Sequence, residues 1–350
     1  KYLQRESMKS KFTICIPTYN RGKRALKLVE FILKNLKKDQ SVLVLNNAST
    51  VETEAYLKIK NISEQNTQLS YFEQKNNMQF YGNFKSCLME ANSKYILIIS
   101  DEDFVNFEEL ESIIEDLDKI ENLGACRTSI KPHHELLNPV NSHIFELKYC
   151  KAGEEALKGF CFSNNYISGI IYNLENIKKT NLIESLESGI NSHKAYPHLY
   201  FDLLVSAEFD VLISPKVSIL EGKPEADTLD DDGKKATIFN HIGLYGYGER
   251  VNQFFALRDA ILESVNRIKG LNDNDRFIIF LSIYLLLVQK YFYLISNCNM
   301  PHYIKNFLNE SLLNESFYYL VISAIVNYPQ IEPYKELMLN AITDIYANYK

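Results

Sequence analysis

The feature that most restricts this chain is the alternation of short apolar runs with helical periodicity across its first third. Phe12 to Pro17 is a buried-strand pattern closed by proline, and Leu26, Val29, Ile32, Leu33 and Leu36 then recur at helical spacing within residues 24–38. A second run, Ser41 to Leu45, stops at Asn46-Asn47-Ala48-Ser49-Thr50, a cluster that favours a turn and a helix cap. Leu69 to Glu73 gives a third strand, a helix is expected near Tyr81 to Ala91, and Tyr95 to Ile99 gives a fourth strand. That fourth strand ends in Ser100-Asp101-Glu102-Asp103, with Phe104 to Leu117 expected as helix. This alternation predicts an α/β domain with a mainly parallel sheet. Ligands bind outside the carboxyl ends of such strands, so the clusters Thr18 to Arg21, Asn46 to Ser49 and Asp101 to Asp103 are expected to converge on one site.

From about residue 125 to 220 the pattern is irregular, with apolar runs at Tyr166 to Tyr172 and Val211 to Leu220, and reads as the second half of the same domain. Glu221 to Lys235 is rich in proline, glycine and charge, as an exposed linker would be. Helical periodicity then continues to Lys350, broken at Gly270 to Asp275, Met300-Pro301 and Tyr328-Pro329. The expected division is a tail over 1–10, an α/β domain over 11–225 and an all-helical domain over 236–350. Met8 before Lys9-Ser10-Lys11 looks like a native start, which would make residues 1–7 an expression remnant, and no signal peptide is expected. Phe277 to Val288 is almost wholly apolar, but Gln289 and Lys290 interrupt it before the roughly 20 residues a bilayer crossing needs. A buried helix is the preferred reading there, with a monotopic membrane contact as the alternative.

Composition narrows the function classes. A net charge of -6 gives no global reason to expect a nucleic-acid partner. Six cysteines with no CxxC pair fit reduced thiols in a cytosolic protein. Aromatic residues of the last third, among them Phe254, Phe255, Tyr284, Tyr291, Phe292, Tyr293, Tyr318 and Tyr319, serve mainly to pack helices. The further uses open to them are covering the site, homo-oligomerisation through the helical domain and peripheral docking at a membrane.

Asp101-x-Asp103 is the most informative motif. Two carboxylates flanking one residue can hold a divalent cation, and Mg²⁺ or Mn²⁺ commonly bridges carboxylates to substrate phosphates. An isolated acidic pair more often caps the helix after it. Here its place at a strand end, in order after Pro17-Thr18-Tyr19-Asn20-Arg21 and Asn46-Asn47-Ala48-Ser49, favours the metal reading. Adjacent His133 and His134 point different ways on any regular element and do not suggest a metal pair, and Tyr245-Gly246-Tyr247-Gly248 lacks the strand that a phosphate loop follows.

The ordered clusters resemble the family two glycosyltransferases over roughly residues 10–220, leaving the helical tail uncovered. The resemblance implies the A-type glycosyltransferase fold, a nucleotide-sugar donor, Mn²⁺ or Mg²⁺ as cofactor, and transfer to a hydroxyl of a glycan or lipid-linked glycan acceptor. By position, Pro17, Thr18 and Tyr19 would line the nucleotide pocket with Arg21 close to the donor. Asn46 stands where the family usually has a base-recognising aspartate, and an amide both donates and accepts where a carboxylate only accepts. Asn47, Asn76-Asn77 and Gly82-Asn83 would border the nucleotide, Asp101 the ribose or metal, and Asp103 the metal on the diphosphate. The resemblance also implies inversion at the anomeric carbon by direct displacement.

The family's Glu-Asp pair, whose aspartate deprotonates the acceptor, is missing. Counting back from Phe209-Asp210 and the strand Val211 to Ser214 puts Pro197-His198 in its place. A neutral histidine can serve as general base, so His198 is the favoured base and Asp202, one helical turn later, the alternate; a packing or capping role for His198 is the competing reading. His193 lies in a polar stretch and reads as solvated. The Tyr196-Pro197-His198-Leu199 pattern resembles bacterial surface-polysaccharide transferases, including abequosyltransferase-like enzymes, and so implies capsule or lipopolysaccharide synthesis in the cytoplasm or at the inner face of the membrane. Two other classes compete: a metal-dependent nucleotidyltransferase, which the single glycine of the first loop disfavours, and a non-catalytic scaffold, which the intact Asp101 and Asp103 disfavour.

Overall fold

The computed structural model describes residues 10–134, 136–163, 165–186, 196–223, 228–229, 235–236 and 247–296. The N-terminal tail, His193, most of the linker, Cys298 and the helical pattern past residue 296 lie outside these residues. The first half alternates as the periodicity predicts: β1 (Ser10–Thr18), α1 (Gly22–Asn35), β2 (Gln40–Asn46), α2 (Thr53–Gln65), β3 (Leu69–Glu73), α3 (Gln79–Glu90) and β4 (Ser93–Ile98). The second half contributes β5 (Phe104–Val105), α4 (Phe107–Leu117), β6 (Leu123–Pro132), β7 (Lys148–Cys150), α5 (Glu154–Phe160), β8 (Ile170–Asn173), α6 (Leu174–Ile177), α7 (Leu182–Ser185), α8 (Pro197–Glu208) and β9 (Asp210–Glu221). A small hairpin of β10 (Thr228–Leu229) and β11 (Lys235–Ala236) precedes α9 (Tyr247–Arg267) and α10 (Asp273–Ser296).

Among the described residues, nine strands form one sheet in the order β3-β2-β1-β4-β8-β6-β9-β5, with β7 paired to β9. β1 to β4 are mutually parallel, and β6 and β9 are parallel to each other. β8 runs backward between β4 and β6, so the start of β8 lies beside the end of β4, with Ile170 opposite Ile98. This reversal brings the residues just before β8 to the edge where β1, β2 and β4 end. The helix expected from Phe104 begins only at Phe107, because Phe104 and Val105 pair with Leu220 and Ile219 of β9.

The central strands are apolar on both faces, as a sheet covered on both sides requires. Ile14, Ile16, Val42, Val44 and Leu97 face α1, α2 and α4, while Cys15, Leu43, Leu45, Ile96 and Ile98 face α3 and α8, following the two-residue period of a strand. Phe254, Leu257 and Ile261 of α9 and Ile279, Ile283 and Leu287 of α10 join that second core. The described part of the helical segment therefore packs into the same core as the sheet. The apolar run Phe277 to Val288 lies within α10, and among the described residues no helix is long and apolar enough to cross a membrane.

Candidate functional site

Thr18 ends β1, and the chain turns there through Asn20 in the left-handed region (φ 55°), a conformation asparagine tolerates better than most residues. The turn releases Arg21 toward the end of β4. Its guanidinium Nη1 donates to Asp101 Oδ1 at 2.9 Å and lies 3.5 Å from Glu102 Oε2. Thr18 Oγ1 donates to Asp101 Oδ2 at 3.0 Å, so its other neighbour, the Tyr56 hydroxyl of α2 at 2.9 Å, acts as donor to it. The Arg21 amide in turn donates to Tyr56 at 3.0 Å. A closed relay of amide, phenol, hydroxyl and carboxylate thus locks the first strand-end loop to the fourth. Burial opposes the Arg21 charge, and Asp101 and Glu102 overcome it and raise the guanidinium pKa.

The second strand-end loop is tied to the first. Asn20 Oδ1 accepts from the amides of Thr50 and Val51, and the Asn20 amide donates to Ser49 Oγ at 2.8 Å. Asn46 accepts from the Ser49 amide and donates to the Tyr71 hydroxyl at 2.9 Å. Asn47 donates to Asn77 Oδ1 at 2.9 Å and accepts from the Met78 amide at 2.8 Å, which fixes the start of α3 against the end of β2. Asn83 donates to the Leu45 carbonyl and leaves its own buried carbonyl oxygen without a partner. Pro17 and Tyr19 are half-buried beside this network, and Asn77 is exposed.

Asp103 is 1% exposed and is held from elsewhere in the chain. Ser168, just before β8, donates to its Oδ2 at 2.6 Å, and the Gly222 amide, just after β9, donates to its Oδ1 at 2.9 Å. Burial pushes its carboxyl up to about 7, with these hydrogen bonds and that from Tyr166 opposing the rise. Glu102 is raised as well, chiefly by burial, with Arg21 pulling against it.

His198 and Asp202 of α8 lie on the second core and are 1% and 0% exposed. His198 Nε2 is 2.7 Å from the Asn165 carbonyl, which only an N–H can satisfy, so Nδ1 carries the lone pair and has no partner. Burial, followed by the Arg127 charge, lowers the imidazole to about 3, so the ring is neutral. Asp202 accepts from Arg127 at 3.2 Å and from the Tyr172 hydroxyl at 2.8 Å. Its carboxyl is raised to about 6 by burial, against the pull of Arg127.

The structure therefore joins Thr18, Arg21, Asp101 and Asp103 at one edge, with Asn46, Asn47, Asn77 and Asn83 beside them, and places His198 and Asp202 behind that edge. Sequence reasoning passed over Tyr56, Arg127, Tyr166, Ser168 and Gly222. A charged Arg127 amid apolar β6 residues was the one legible signal, since a buried arginine needs a partner.

Among the described residues no three His, Cys, Asp or Glu side chains gather as a ready-made cation site. The hard oxygen donors are Asp101, already neutralised by Arg21, and Asp103. Each of their four oxygens already accepts one hydrogen bond, so Mg²⁺ or Mn²⁺ would be held through their second lone pairs, in the mode where one or two carboxylates bind the ion and substrate phosphates complete its shell.

Residues 13–165 match the family model of glycosyl transferase family 2. The fold is shared with S. aureus TarS 1-349 in complex with UDP, at TM-score 0.54 and 14% identity over 97% of this chain and 89% of that one. It is shared also with mannosyltransferase PcManGT from Pyrobaculum calidifontis in complex with GDP-Man and Mn²⁺, at TM-score 0.50 and 13% identity over 98% and 88% of the two chains. No curated protein sequence matches significantly. The family match covers less than half of the chain, and the two solved structures share its A-type α/β fold.

Proposed function

We propose that the protein transfers a sugar from a nucleoside-diphosphate sugar, a UDP-sugar in the first instance, to a hydroxyl of a glycan acceptor with inversion at the anomeric carbon. The observation that carries this reading is the direct bonding of Thr18 and Arg21, from the end of β1, to Asp101 at the end of β4. That edge is where ligands of such sheets bind. Pro17, Thr18, Tyr19 and Arg21 would flank the nucleotide on one side, and Asn46, Asn47, Asn77 and Asn83 on the other. Asp103, with Asp101 beside it, would hold Mn²⁺ or Mg²⁺, whose charge when bound offsets the negative charge on the departing diphosphate.

His198 is the proposed base. Its Nε2–H is fixed by Asn165, which leaves the Nδ1 lone pair to take the acceptor proton. A weakly basic imidazole suffices if the proton leaves late, because an oxygen already bonding to the anomeric carbon is strongly acidic. The acceptor reaches Nδ1 only when the cover over this buried ring parts. Asp202, with both oxygens engaged inside the core, serves as the charge partner of Arg127 rather than as alternate base. The Tyr196-Pro197-His198-Leu199 pattern supports an abequosyltransferase-like role in bacterial capsule or lipopolysaccharide synthesis, in the cytoplasm or against the inner membrane face on a lipid-linked acceptor. Homo-oligomerisation through the helical segment belongs to the same proposal.

Calorimetric titration of a panel of nucleoside diphosphates, with and without Mn²⁺, tests the donor site on the native chain and on Asp103→Ala. Metal-dependent binding of one nucleotide, lost in the variant, is expected. Binding of none would sink the transferase reading and leave a scaffold.

A further inference from the structure

A short segment ahead of β8 ties the acidic loop to the helix that carries His198. Ser168 Oγ donates to Asp103 and accepts from the Ser100 amide at 2.9 Å. The Tyr166 hydroxyl donates to Glu102 Oε1 at 3.3 Å. The Tyr166 carbonyl accepts from Arg127 Nη1 at 3.2 Å, and Nη2 of the same guanidinium holds Asp202 of α8. One residue earlier, the Asn165 carbonyl takes the Nε2–H of His198. Within residues 165–168, Tyr166 and Ser168 thus touch the acidic loop while Asn165 touches α8.

Phe162 and Ile167 pack on the core under α3 and α8, and Tyr166 between them sends its ring to the other side. Its ring packs with the core under α1 and α4, while its carbonyl meets the Arg127 cluster, whose guanidinium lies over Phe160 of the opposite core. The segment is pinned upstream as well. Phe162 has φ 63°, a conformation costly for a bulky residue and kept only where surroundings enforce it. Lys290 of α10 enforces it, donating to the Phe162 carbonyl at 2.8 Å and lying 5.7 Å from the ring centroid.

We propose that Tyr166 is a positioning residue through which a nucleoside diphosphate and its divalent cation, bound at the acidic loop, set the placement of His198. The inference rests on the glycosyl-transfer reading and deepens it: the acceptor-side base is aligned only after the donor-side ligand arrives.

The test is carbon-detected NMR of histidine-labelled full-length protein, with the His198 signal assigned among the seven histidines by its loss in His198→Asn. Titration with UDP and with GDP in the presence of diamagnetic Mg²⁺ is expected to shift that signal in the native chain, with the midpoint found by calorimetry. In Tyr166→Phe, which removes only the hydroxyl, most of the His198 shift read at nucleotide saturation is expected to be lost. Ser168→Ala, which loosens the same segment at Asp103, serves if Tyr166→Phe melts early, and is also expected to reduce the shift per bound nucleotide. A His198 shift of native size in folded variants at equal saturation overturns the proposal, as does native binding with no His198 shift. Absence of nucleotide binding to the native chain overturns the glycosyl-transfer reading and this inference with it.

Discussion

Gly222 follows β9 where its backbone passes the acidic loop, and Gly222→Ala should break the site from outside the motif. A Cβ at this position would lie 1.6 Å from the Glu102 carbonyl oxygen and 2.8 Å from its carbonyl carbon. Non-bonded carbon and oxygen stay on the order of 3.3 Å apart, so one backbone must retreat by more than 1 Å, roughly 1.5 Å or more. Such a retreat breaks the 2.9 Å bond from the Gly222 amide to Asp103. A hydrogen bond to a charged group contributes about 1.5–3 kcal/mol, and overpacking costs about 1–3 kcal/mol, so a loss of about 2.5–6 kcal/mol is expected. Calorimetry should show a Tm lowered by roughly 5–15 °C and nucleotide affinity weakened by at least about tenfold. Gly270→Ala is the control: its φ of +80° makes alanine strained, yet nothing lies within 4 Å of the added carbon. It should cost roughly 1–2 kcal/mol and leave nucleotide affinity unchanged. A Gly222→Ala protein that melts and binds like the native chain would refute this reasoning.

Three further outcomes follow from the core and surface. Asp202→Leu strands the buried Arg127 charge and should cost about 3–5 kcal/mol in urea unfolding, with most of it recovered when Arg127→Met is added; equal loss in the double variant would contradict the pairing. Burial works to raise the Asp118 carboxyl, but hydrogen bonds from Lys11, Lys94 and Tyr95 outweigh it and hold the pKa at about 2. A depressed carboxylate stabilises above its unfolded pKa of about 3.9 and loses that contribution as pH falls toward 2, so the Tm gap between native protein and Asp118→Asn should close over that window. Cys15, Cys87, Cys126, Cys150 and Cys161 are all buried, and burial raises Cys15, Cys126, Cys150 and Cys161, so a thiol reagent should modify these five only at the rate of unfolding. Rapid modification of any of them in folded protein would show that the core around it is open.

The first half of the sheet was legible because its determinants are local. Apolar runs such as Phe12 to Ile16 and Ser41 to Leu45 mark strands by themselves, and the polar residues that end them stay at the site because the strands are parallel. The other half depends on pairings no short window reveals. Ser168 reaches Asp103 because β8 is reversed, and Gly222 reaches it because β9 runs the length of β6 past two irregularities. The depth of His198 did have a local sign: Leu199, Tyr200, Phe201, Leu203, Leu204 and Val205 leave α8 no polar face, and a helix apolar all round is a buried one.

The hydrogen bond from Gly222 to Asp103 joins residues 119 apart, and it sets the order in which this protein can mature. A nascent chain displays the whole segment that matches the family model well before β9 exists to close the acidic loop. Non-local pairings of this kind form late because the loop they close must be ordered first. A fragment ending at residue 165 would hold every strand-end motif and still lack Tyr166, Ser168 and Gly222, which cap its central carboxylate. Under the proposed donor-binding role the competent unit is longer than the recognisable one, and nucleotide binding should switch on during synthesis only after residue 222 has left the ribosome.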